Sequence, residues 1–301
     1  MAFMRMYVVA AAALVGLASA TTGLAQENGP PLRRHDNNLL RFDADNVYGA
    51  TLKSGGVGFG SLRTATHGFD FLTPVAMRGR WQWDVGMEWR RREIGYRVNP
   101  GIPSALQIVS VPVVASYELN EPSTLAIRVA PGIYSDMEDL GFSDINAPIG
   151  IRFYHEYAHG VIWYAGLQAD WMNEIPVIPD FGIRWRFWYD WVLDVNLPNP
   201  RLEYEFTDKW VGSAGVEWRG AAFRVSEILP SSGGRAGTGD STLTYRDFRV
   251  KVGLKYAWDE ESFFSLAGGY SLHRRLKFSD GGFQLSTGGA PFVQAAFNSS
   301  W

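Results

Sequence analysis

The sequence predicts an all-β fold, an antiparallel transmembrane β-barrel of roughly 12 strands within a range of about 10 to 14. Three observations support this prediction. Apolar and polar side chains alternate along most of the chain, aromatic residues recur near the ends of the alternating runs, and an export signal precedes them. Because successive side chains of a strand point to opposite faces, such alternation builds a wall with one apolar and one polar face.

The first residues, 1–25, have the features of a secretory signal peptide. Arg5 supplies a positive charge, an apolar run extends from Met6 to Leu17, and small residues follow that run. An N-terminal membrane anchor is the alternative, but the run is too short and wrongly flanked for a spanning helix. The chain therefore divides into a signal peptide (1–25), a polar, disordered lead-in (26–39) and one outer-membrane β-barrel domain (40–301).

The clearest alternation is the stretch "RWQWDVGMEWR", residues 80–90. Every second residue is apolar, and each residue between is charged, polar or glycine. The stretch "DFRVKVGLKYAW", residues 247–258, repeats this pattern. At helical spacing the same charges would scatter around the axis, so both stretches predict strands with two different faces. Several runs reach the ~9–11 residues that a tilted strand needs to cross a bilayer.

The composition narrows the class of protein. The chain of 301 residues has no cysteine, which excludes disulfides and thiolate metal sites, and its net charge of −3 gives no strong pull toward nucleic acid. Mean hydropathy is −0.12. Beyond the signal peptide no stretch has the ~18 consecutive apolar residues of a transmembrane helix, which excludes a helix bundle. The sequence indicates no cofactor and no metal.

The alternation assigns side chains to the two faces of the wall. Charged residues of the polar face are the candidates for the lumen: Arg80, Asp84, Glu88, Arg184, Arg186, Glu203, Glu205, Glu217, Arg219, Arg249 and Lys251. Such charges either pair across the lumen and fill it or line a narrow water-filled channel, and the sequence leaves both possibilities open.

Aromatic residues of the apolar face predict contacts with the membrane. Tryptophans at or near strand ends are the candidates for an aromatic girdle: Trp81, Trp89, Trp163, Trp171, Trp218 and Trp258. The chain ends on Phe297 and Trp301, four residues apart and therefore on one strand face. Terminal strands of outer-membrane barrels resemble this, and the resemblance predicts the signal that the barrel-assembly machinery reads.

The stretch "FYHEYAHG" contains His155-Glu156-Tyr157-Ala158-His159, which matches the H-E-x-x-H pattern of zinc proteases. That chemistry requires a helix, because only there do the two histidines lie one turn apart. The surrounding residues alternate, however, and predict a strand, a turn near His159 and another strand. In a strand, residues four apart are separated by about 13 Å, too far to share a zinc ion. The match is therefore interpreted as coincidental.

A second possible chemistry is hydrolysis. Ser271 and His273 lie two residues apart in an alternating run, which would place them on one strand face. The expected separation of about 6.6 Å along the strand requires the side chains to lean together, and the sequence names no acid partner. A polar pair facing the lumen is the simpler interpretation, and the lipid-acting hydrolase is kept as an alternative.

The segment "PVIPDFGIRWRF…DWVLDVNLPNPRLEYEFTDKWVGSAGVEWRGAAFRV", with "YRDFRVKVGLKY" and "SFFSLAGGYSLHRRLKF" after it, resembles the DUF6268 family. The likeness lies in the order of these strand patterns and covers roughly residues 120–280. These are uncharacterised outer-membrane β-barrel proteins of Gram-negative bacteria. The resemblance implies an outer-membrane barrel and implies no activity or catalytic residue.

Together these observations predict a non-enzymatic barrel in the outer membrane of a Gram-negative cell, either a narrow channel or a structural barrel. Its expected partners are outer-membrane lipid, the assembly machinery and small solutes, without nucleic acid. A soluble periplasmic β-sandwich that binds a ligand is a further alternative, because its strands also have one apolar and one polar face.

Overall fold

The structure is a computed structural model, and it describes residues 37–97, 101–226, 241–279 and 284–301. The predicted signal peptide (1–25) therefore lies outside the described residues, as does the predicted lead-in up to residue 36. No helix within the described ranges is long and apolar enough to cross a membrane. The chain is built from strand segments: β1 (Leu39–Ser54), β2 (Val57–Arg78), β3 (Trp81–Tyr96), β4 (Ala105–Ser110), β5 (Val113–Asn120), β6 (Ser123–Val129), β7 (Gly132–Ser135), β8 (Ile145–Asn146), β9 (Ile149–Ala158), β10 (Val161–Ala169), β11 (Val177–Arg186), β12 (Trp191–Asn196), β13 (Arg201–Glu205), β14 (Trp210–Val225), β15 (Ser241–Ala257), β16 (Ser262–Phe278), β17 (Gln284–Thr287) and β18 (Ala290–Ser300).

The segments form one closed antiparallel barrel. Each span pairs with the next along the chain, and β1 pairs with both β2 and β18, which closes the cylinder. Four spans consist of two collinear segments each (β4–β5, β6–β7, β8–β9 and β17–β18), so the eighteen segments make fourteen spans. The prediction of an all-β antiparallel barrel is confirmed, and the central estimate of roughly 12 strands was too low.

The two faces of the wall differ as the alternation predicts. On β15, Val250, Val252 and Leu254 are 43%, 63% and 42% exposed on the outside, whereas Asp247 and Arg249 are each 1% exposed on the inside. A soluble sandwich would bury its apolar faces between two stacked sheets. Here the apolar face points outward around a single cylinder, so the sandwich alternative is wrong.

Three neighbouring spans are interrupted at proline. Pro112 separates β4 from β5, Pro131 separates β6 from β7, and Pro148 separates β8 from β9. Proline has no N–H to give to the ladder and is confined to breaks, bulges and edges of sheets. Hydrogen bonds still join the neighbouring spans at these breaks. Val111 N–H donates to the Pro131 carbonyl at 2.9 Å, and Ala130 N–H donates to the Pro148 carbonyl at 3.0 Å. The wall thus bends along a row of prolines.

Beyond the proline row, β7 leaves the wall and reaches β14. Ser135 pairs in parallel with Arg224, and Asp136 N–H donates to the Arg224 carbonyl at 3.1 Å. The Asp136 carboxylate also accepts the Ser226 N–H at 2.8 Å. This contact bypasses spans β8–β9 to β13 and closes a smaller ring of nine strands, which we call the neck: β1, β2, β3, β4, β7, β14, β15, β16 and β17.

The neck is filled by apolar side chains. Eight strands of the ring supply at least one buried residue, and β7 adds Tyr134. The cluster consists of Leu52, Leu62, Ile94, Ile102, Leu106, Ile108, Tyr134, Ala221, Phe223, Val225, Leu243, Tyr245, Leu276, Phe278 and Leu285. A ring of about eight strands has an interior that side chains just fill. The wider part has fourteen spans and is called the body; β1 begins and β18 ends at its far rim.

Candidate functional site: the lumen of the body

The interior of the body is lined by charged side chains in three groups. The most buried group surrounds Asp45 on β1. Arg249 Nη2 donates to Asp45 Oδ2 at 2.8 Å, and Arg219 Nη1 donates to Asp45 Oδ1 at 3.0 Å. Arg249 Nε also donates to Asp247 at 2.7 Å. Because β14 and β15 are separated from β1 by β16 and the β17–β18 span, these bonds cross the lumen and fill this side of it.

This Asp45 group continues to the boundary with the neck. The Arg92 guanidinium on β3 lies 3.8 Å from the centre of the Tyr245 ring on β15. Four spans separate β3 from β15 around the wall, so this contact crosses the lumen. Arg274 Nη2 donates to the Leu62 carbonyl at 3.1 Å. Buried charges need such partners, since an unpaired charge in the interior is costly. Two arginines therefore lie at the boundary between body and neck, Arg92 stacked on Tyr245 and Arg274 donating to backbone carbonyls.

A second group lies on β1, β2, β3 and β6. Glu88 Oε2 accepts from Arg128 at 2.9 Å and from Ser110 at 3.2 Å. Arg90 Nη2 lies 3.3 Å from Asp70 and 3.6 Å from Asp43. Cations and carboxylates alternate along this wall, so the group is close to neutral and gives the lumen no strong preference for either sign of ion.

The third group lies on the short spans β11 to β13. Arg184 donates to Asp194 at 3.2 Å and to Glu203 at 2.7 Å. Arg201 lies 3.0 Å from Asp194. These bonds run along the wall rather than across the lumen. The Arg184 side chain is still 34% exposed, whereas that of Arg249 is 1% exposed, so the lumen is open to solvent beside β11–β13 and filled beside β1 and β15.

The structure places the predicted lumen residues as follows. Ten of the residues predicted for the lumen lie on inward positions of β3, β11, β13, β14 and β15: Asp84, Glu88, Arg184, Arg186, Glu203, Glu205, Glu217, Arg219, Arg249 and Lys251. Arg80 does not, because it occupies the two-residue turn between β2 and β3 and donates to the Leu119 carbonyl at 3.0 Å. That turn lies at the rim, where alternation no longer assigns a face.

The tryptophans proposed for the girdle lie on or beside the outer face. Trp81 and Trp163 lie near the strand ends at the rim of the chain termini, as does Trp258 in the turn after β15. Trp89 lies eight positions after Trp81, the first residue of β3, and Trp218 lies eight positions after the first residue of β14. Trp171 follows the end of β10. Trp81 packs at 4.8 Å between ring centres against Tyr117 of the next span, so aromatic contacts link neighbouring spans at this rim.

Ser271 and His273 do not share a face. A β-bulge in β16 falls between them. The adjacent residues Phe248 and Arg249 of β15 pair with His273 and Ser271, so Leu272 is left without a partner in the register. Ser271 points inward, is fully buried and donates to Asp247 Oδ1 at 2.6 Å. His273 is exposed on the outside. The predicted common face is wrong, and this pair is not arranged for nucleophilic catalysis.

The "HEYAH" stretch is a strand and a turn, as the alternation predicts. His155 lies on β9, points outward, is 2.9 Å from Ser123 Oγ through Nδ1, and packs 5.6 Å from the Trp163 ring. His159 lies in the turn before β10. The helix that a zinc-protease site needs is not formed here. Among the described residues, no group of three or more histidine or acidic side chains could hold a metal ion.

Several residues of the lumen were not found from the sequence. Asp43 and Asp45 lie in "RFDADNV", where alanine rather than a large apolar residue separates the two acids and weakens the alternation. Arg92 follows two other arginines, so the pattern does not say which of them points inward. Arg274 lies beyond the bulge of β16, where the parity changes by one residue. The one signal that could have placed acids in the lumen is the spacing of two residues between Asp43 and Asp45, which puts both on the same face of a strand.

Comparison with known proteins gives a family and several similar structures. The family model described as "Domain of unknown function (DUF6268)" matches residues 58–287. The COG4313 outer membrane channel from Pseudomonas putida F1 is 10% identical, with 91% of this chain and 100% of that chain covered and a TM-score of 0.48. The Pseudomonas putida toluene transporter TodX is 12% identical, with 95% of each chain covered and a TM-score of 0.43. No curated protein matches the chain.

Proposed function

We propose that this chain, which belongs to the DUF6268 family, is a non-enzymatic outer-membrane barrel whose lumen is a gated route for small solutes. The observation that carries this proposal is the closed cylinder with an apolar outer face and a charged inner face. In a bilayer only a closed barrel or a helix satisfies every backbone polar group. A charged lumen then offers ions and small polar solutes the water-like path that lipid denies them.

The apolar outer face has the height of a membrane. On β15 it extends from Phe248 to Tyr256, a distance of about eight residue steps or roughly 26 Å along the strand. At the usual strand tilt this length approaches the roughly 25 Å apolar band of outer-membrane barrels. The girdle tryptophans would lie at the edges of this band, and outer-membrane lipid would cover it. Phe297, outward on β18, and Trp301, exposed one residue beyond the end of β18, are proposed as the residues read by the assembly machinery.

The orientation follows from the chain ends. Leu39 pairs with Ser300 at the rim opposite the neck, so both ends of the barrel lie at one rim. An exported chain that inserts from the periplasm keeps this rim on the periplasmic side. The neck then faces the cell exterior, and its apolar core closes the wide lumen below it. Conduction requires either opening of the neck or passage beside it along β11–β13.

The neck core also favours a second candidate, a structural barrel without conduction. Planar-bilayer recording of refolded protein distinguishes the two, with heat-modifiable gel migration as the test of folding. We expect wild-type barrels to show small, brief current steps. The double substitution Leu243→Ala and Leu276→Ala should give larger and longer steps, because it empties the neck. The control is Leu254→Ala with Leu266→Ala, a cross-strand pair on the outer face, which should behave as wild type.

The outcomes separate cleanly. Silence from wild type and from the neck variant, in samples that migrate as folded barrels, would establish a structural barrel and overturn the channel. Equal conductance in the neck variant and in wild type would show that solutes pass without crossing the neck. In that case the route is assigned to the exposed wall of β11–β13, and the neck is a stabilising element rather than a gate.

A further inference from the structure

The wall formed by β13 to β18 has a hollow on its lumen side. Its floor is made of small inward residues that face each other across strands: Ser213 pairs with Gly253, and Gly253 pairs with Ala267. A Cβ at position 253 would lie only 3.1 Å from Ser213 Oγ and 3.3 Å from Ala267 Cβ. The missing side chains leave a cavity of about 100 Å³, which is much smaller than the roughly 300–1,000 Å³ of a site for a drug-sized ligand.

The rim of this hollow is cationic. Lys251, Lys255 and Arg201 line it together with a single acid, Glu203. Two of the three cations already have carboxylate partners, since Lys251 Nζ donates to Glu217 at 3.2 Å and Arg201 lies 3.0 Å from Asp194. Glu203 in turn accepts from Arg184 at 2.7 Å, so the excess positive charge of the hollow is that of Lys255.

Lys255 is the cation that is available. No carboxylate of the described residues lies within ion-pair distance of its ammonium group, which lies 5.2 Å from the centre of the Phe263 ring. The other lysine of the hollow, Lys251, is already paired with Glu217. An ammonium group in a confined site gains most from an anion with compact charge, because a charge-assisted hydrogen bond is about twice as strong as a neutral one.

The remaining lining residues suit an oxyanion. The Gln294 and Asn298 amides project from β18 and carry N–H donors, and Ser213 and Ser265 carry hydroxyl groups. Such groups donate to carboxylate or phosphate oxygens without adding charge. Together with Lys255 they line a space of about 100 Å³, which is the size of a small ion rather than of a larger solute.

We propose that this hollow is a binding site for a compact oxyanion, with Lys255 as its principal cation, and that small anions are the solutes held in the lumen. This inference rests on the proposed function, because it assumes that the hollow is reached through the lumen. A site on a solute path must also release its ion, so binding is expected to be weak, saturable and sensitive to salt.

The test is isothermal titration of folded protein in an uncharged detergent with inorganic phosphate and, separately, with acetate, at constant ionic strength. We expect saturable binding of at least one of these anions. Lys255→Gln should weaken it by at least about tenfold, because one charge-assisted bond is lost. Lys209→Gln is the matched control, since Lys209 is an exposed lysine of the turn before β14 and its loss should leave affinity unchanged.

Ser213→Leu is the second variant. It fills the floor without removing a charge, so it should abolish binding even if Lys255→Gln fails to fold. Absence of saturable binding in wild type, or unchanged affinity in both hollow variants, overturns the inference. The titration needs no current, so its result is separate from the bilayer test. If the wild type binds the anion and both it and the neck variant stay silent in the bilayer, the channel is overturned and the anion site remains.

Discussion

The neck and the body share the long strands β1, β2, β3, β14, β15 and β16 yet enclose opposite interiors. On β15 the inward residues Leu243 and Tyr245 belong to the apolar core of the neck, whereas Asp247, Arg249 and Lys251 belong to the charged lumen of the body. Because barrel diameter grows with strand number, the nine-strand ring closes on its own side chains and the fourteen-span ring does not. The number of strands around the ring thus decides whether hydrocarbon or paired charge occupies the interior.

The comparison predicts that the body depends most on its cross-lumen charges. Asp45→Ala leaves Arg249 and Arg219 buried without their shared carboxylate, and breaking a buried pair in this way costs about 3–5 kcal/mol. Unfolding by urea in detergent micelles measures this loss. Glu205→Ala is the matched control, because the Glu205 and Arg186 side chains are 32% and 42% exposed and such pairs contribute only about 0–1 kcal/mol.

Equal losses from these two substitutions would contradict the division of the body into a filled and an open side. A loss below about 1 kcal/mol for Asp45→Ala would show that water reaches Arg249 and solvates it as well as the carboxylate does. Equal losses would mean that water fills both sides of the lumen alike. A small loss for Asp45→Ala would mean that the water-filled lumen extends from the rim to the boundary with the neck.

The neck should respond to lost volume rather than to lost charge. Leu243 is fully buried, and Leu243→Ala should cost about 2–5 kcal/mol through lost transfer energy and a residual cavity. Leu254→Ala, eleven positions along on the outer face of the same strand, should cost less in micelles, since detergent occupies the space that the side chain leaves. Unfolding of the two variants under one set of conditions gives the comparison. A larger loss for Leu254→Ala would mean that the neck core is loosely packed.

The body was largely predictable from the sequence, and the neck was not. Alternation in "DFRVKVGLKYAW" assigns Asp247, Arg249 and Lys251 to the inside because each strand repeats the same local rule. The neck depends on β7 meeting β14, a contact between residues 135 and 224 that leaves no periodic trace. The sequence marks the neck only through the prolines at 112, 131 and 148. They show where the spans break, but they do not show which strand the segment after a break will contact.

The lumen residues that were missed have the same kind of cause. A bulge shifts the parity of β16, so the pattern gives Ser271 and His273 one face when the strand gives them two. Bulges are set by the pairing of two strands, and neither strand alone reveals them. The strand number was underestimated in part because β12 is only 6 residues long, shorter than a membrane-crossing strand is expected to be.

The smallest expected effect concerns the ionic contacts between a loop of the body and the outside of the neck. Glu174, in the loop between β10 and β11, accepts hydrogen bonds from Lys277 and, at 3.1 Å, from Arg246. The hydrogen bond from Lys277 and the charge of Arg246 hold the pKa of Glu174 below its ordinary value of 4.5. Both partners lie on neck strands, so this carboxylate ties a body loop to the neck.

The sign of the pH dependence follows from that direction. Because the folded state favours the charged form of Glu174, the tie is fully present above the ordinary pKa and is lost as the pH falls through the lowered value. Glu174→Gln should therefore raise hydrogen–deuterium exchange of residues 170–176 by about two- to fivefold at neutral pH, as expected for an exposed pair. Below about pH 4 the difference between variant and wild type should shrink. A difference that persists undiminished in acid would assign the order of this loop to its packing, with Met172 against the neck core, rather than to the carboxylate.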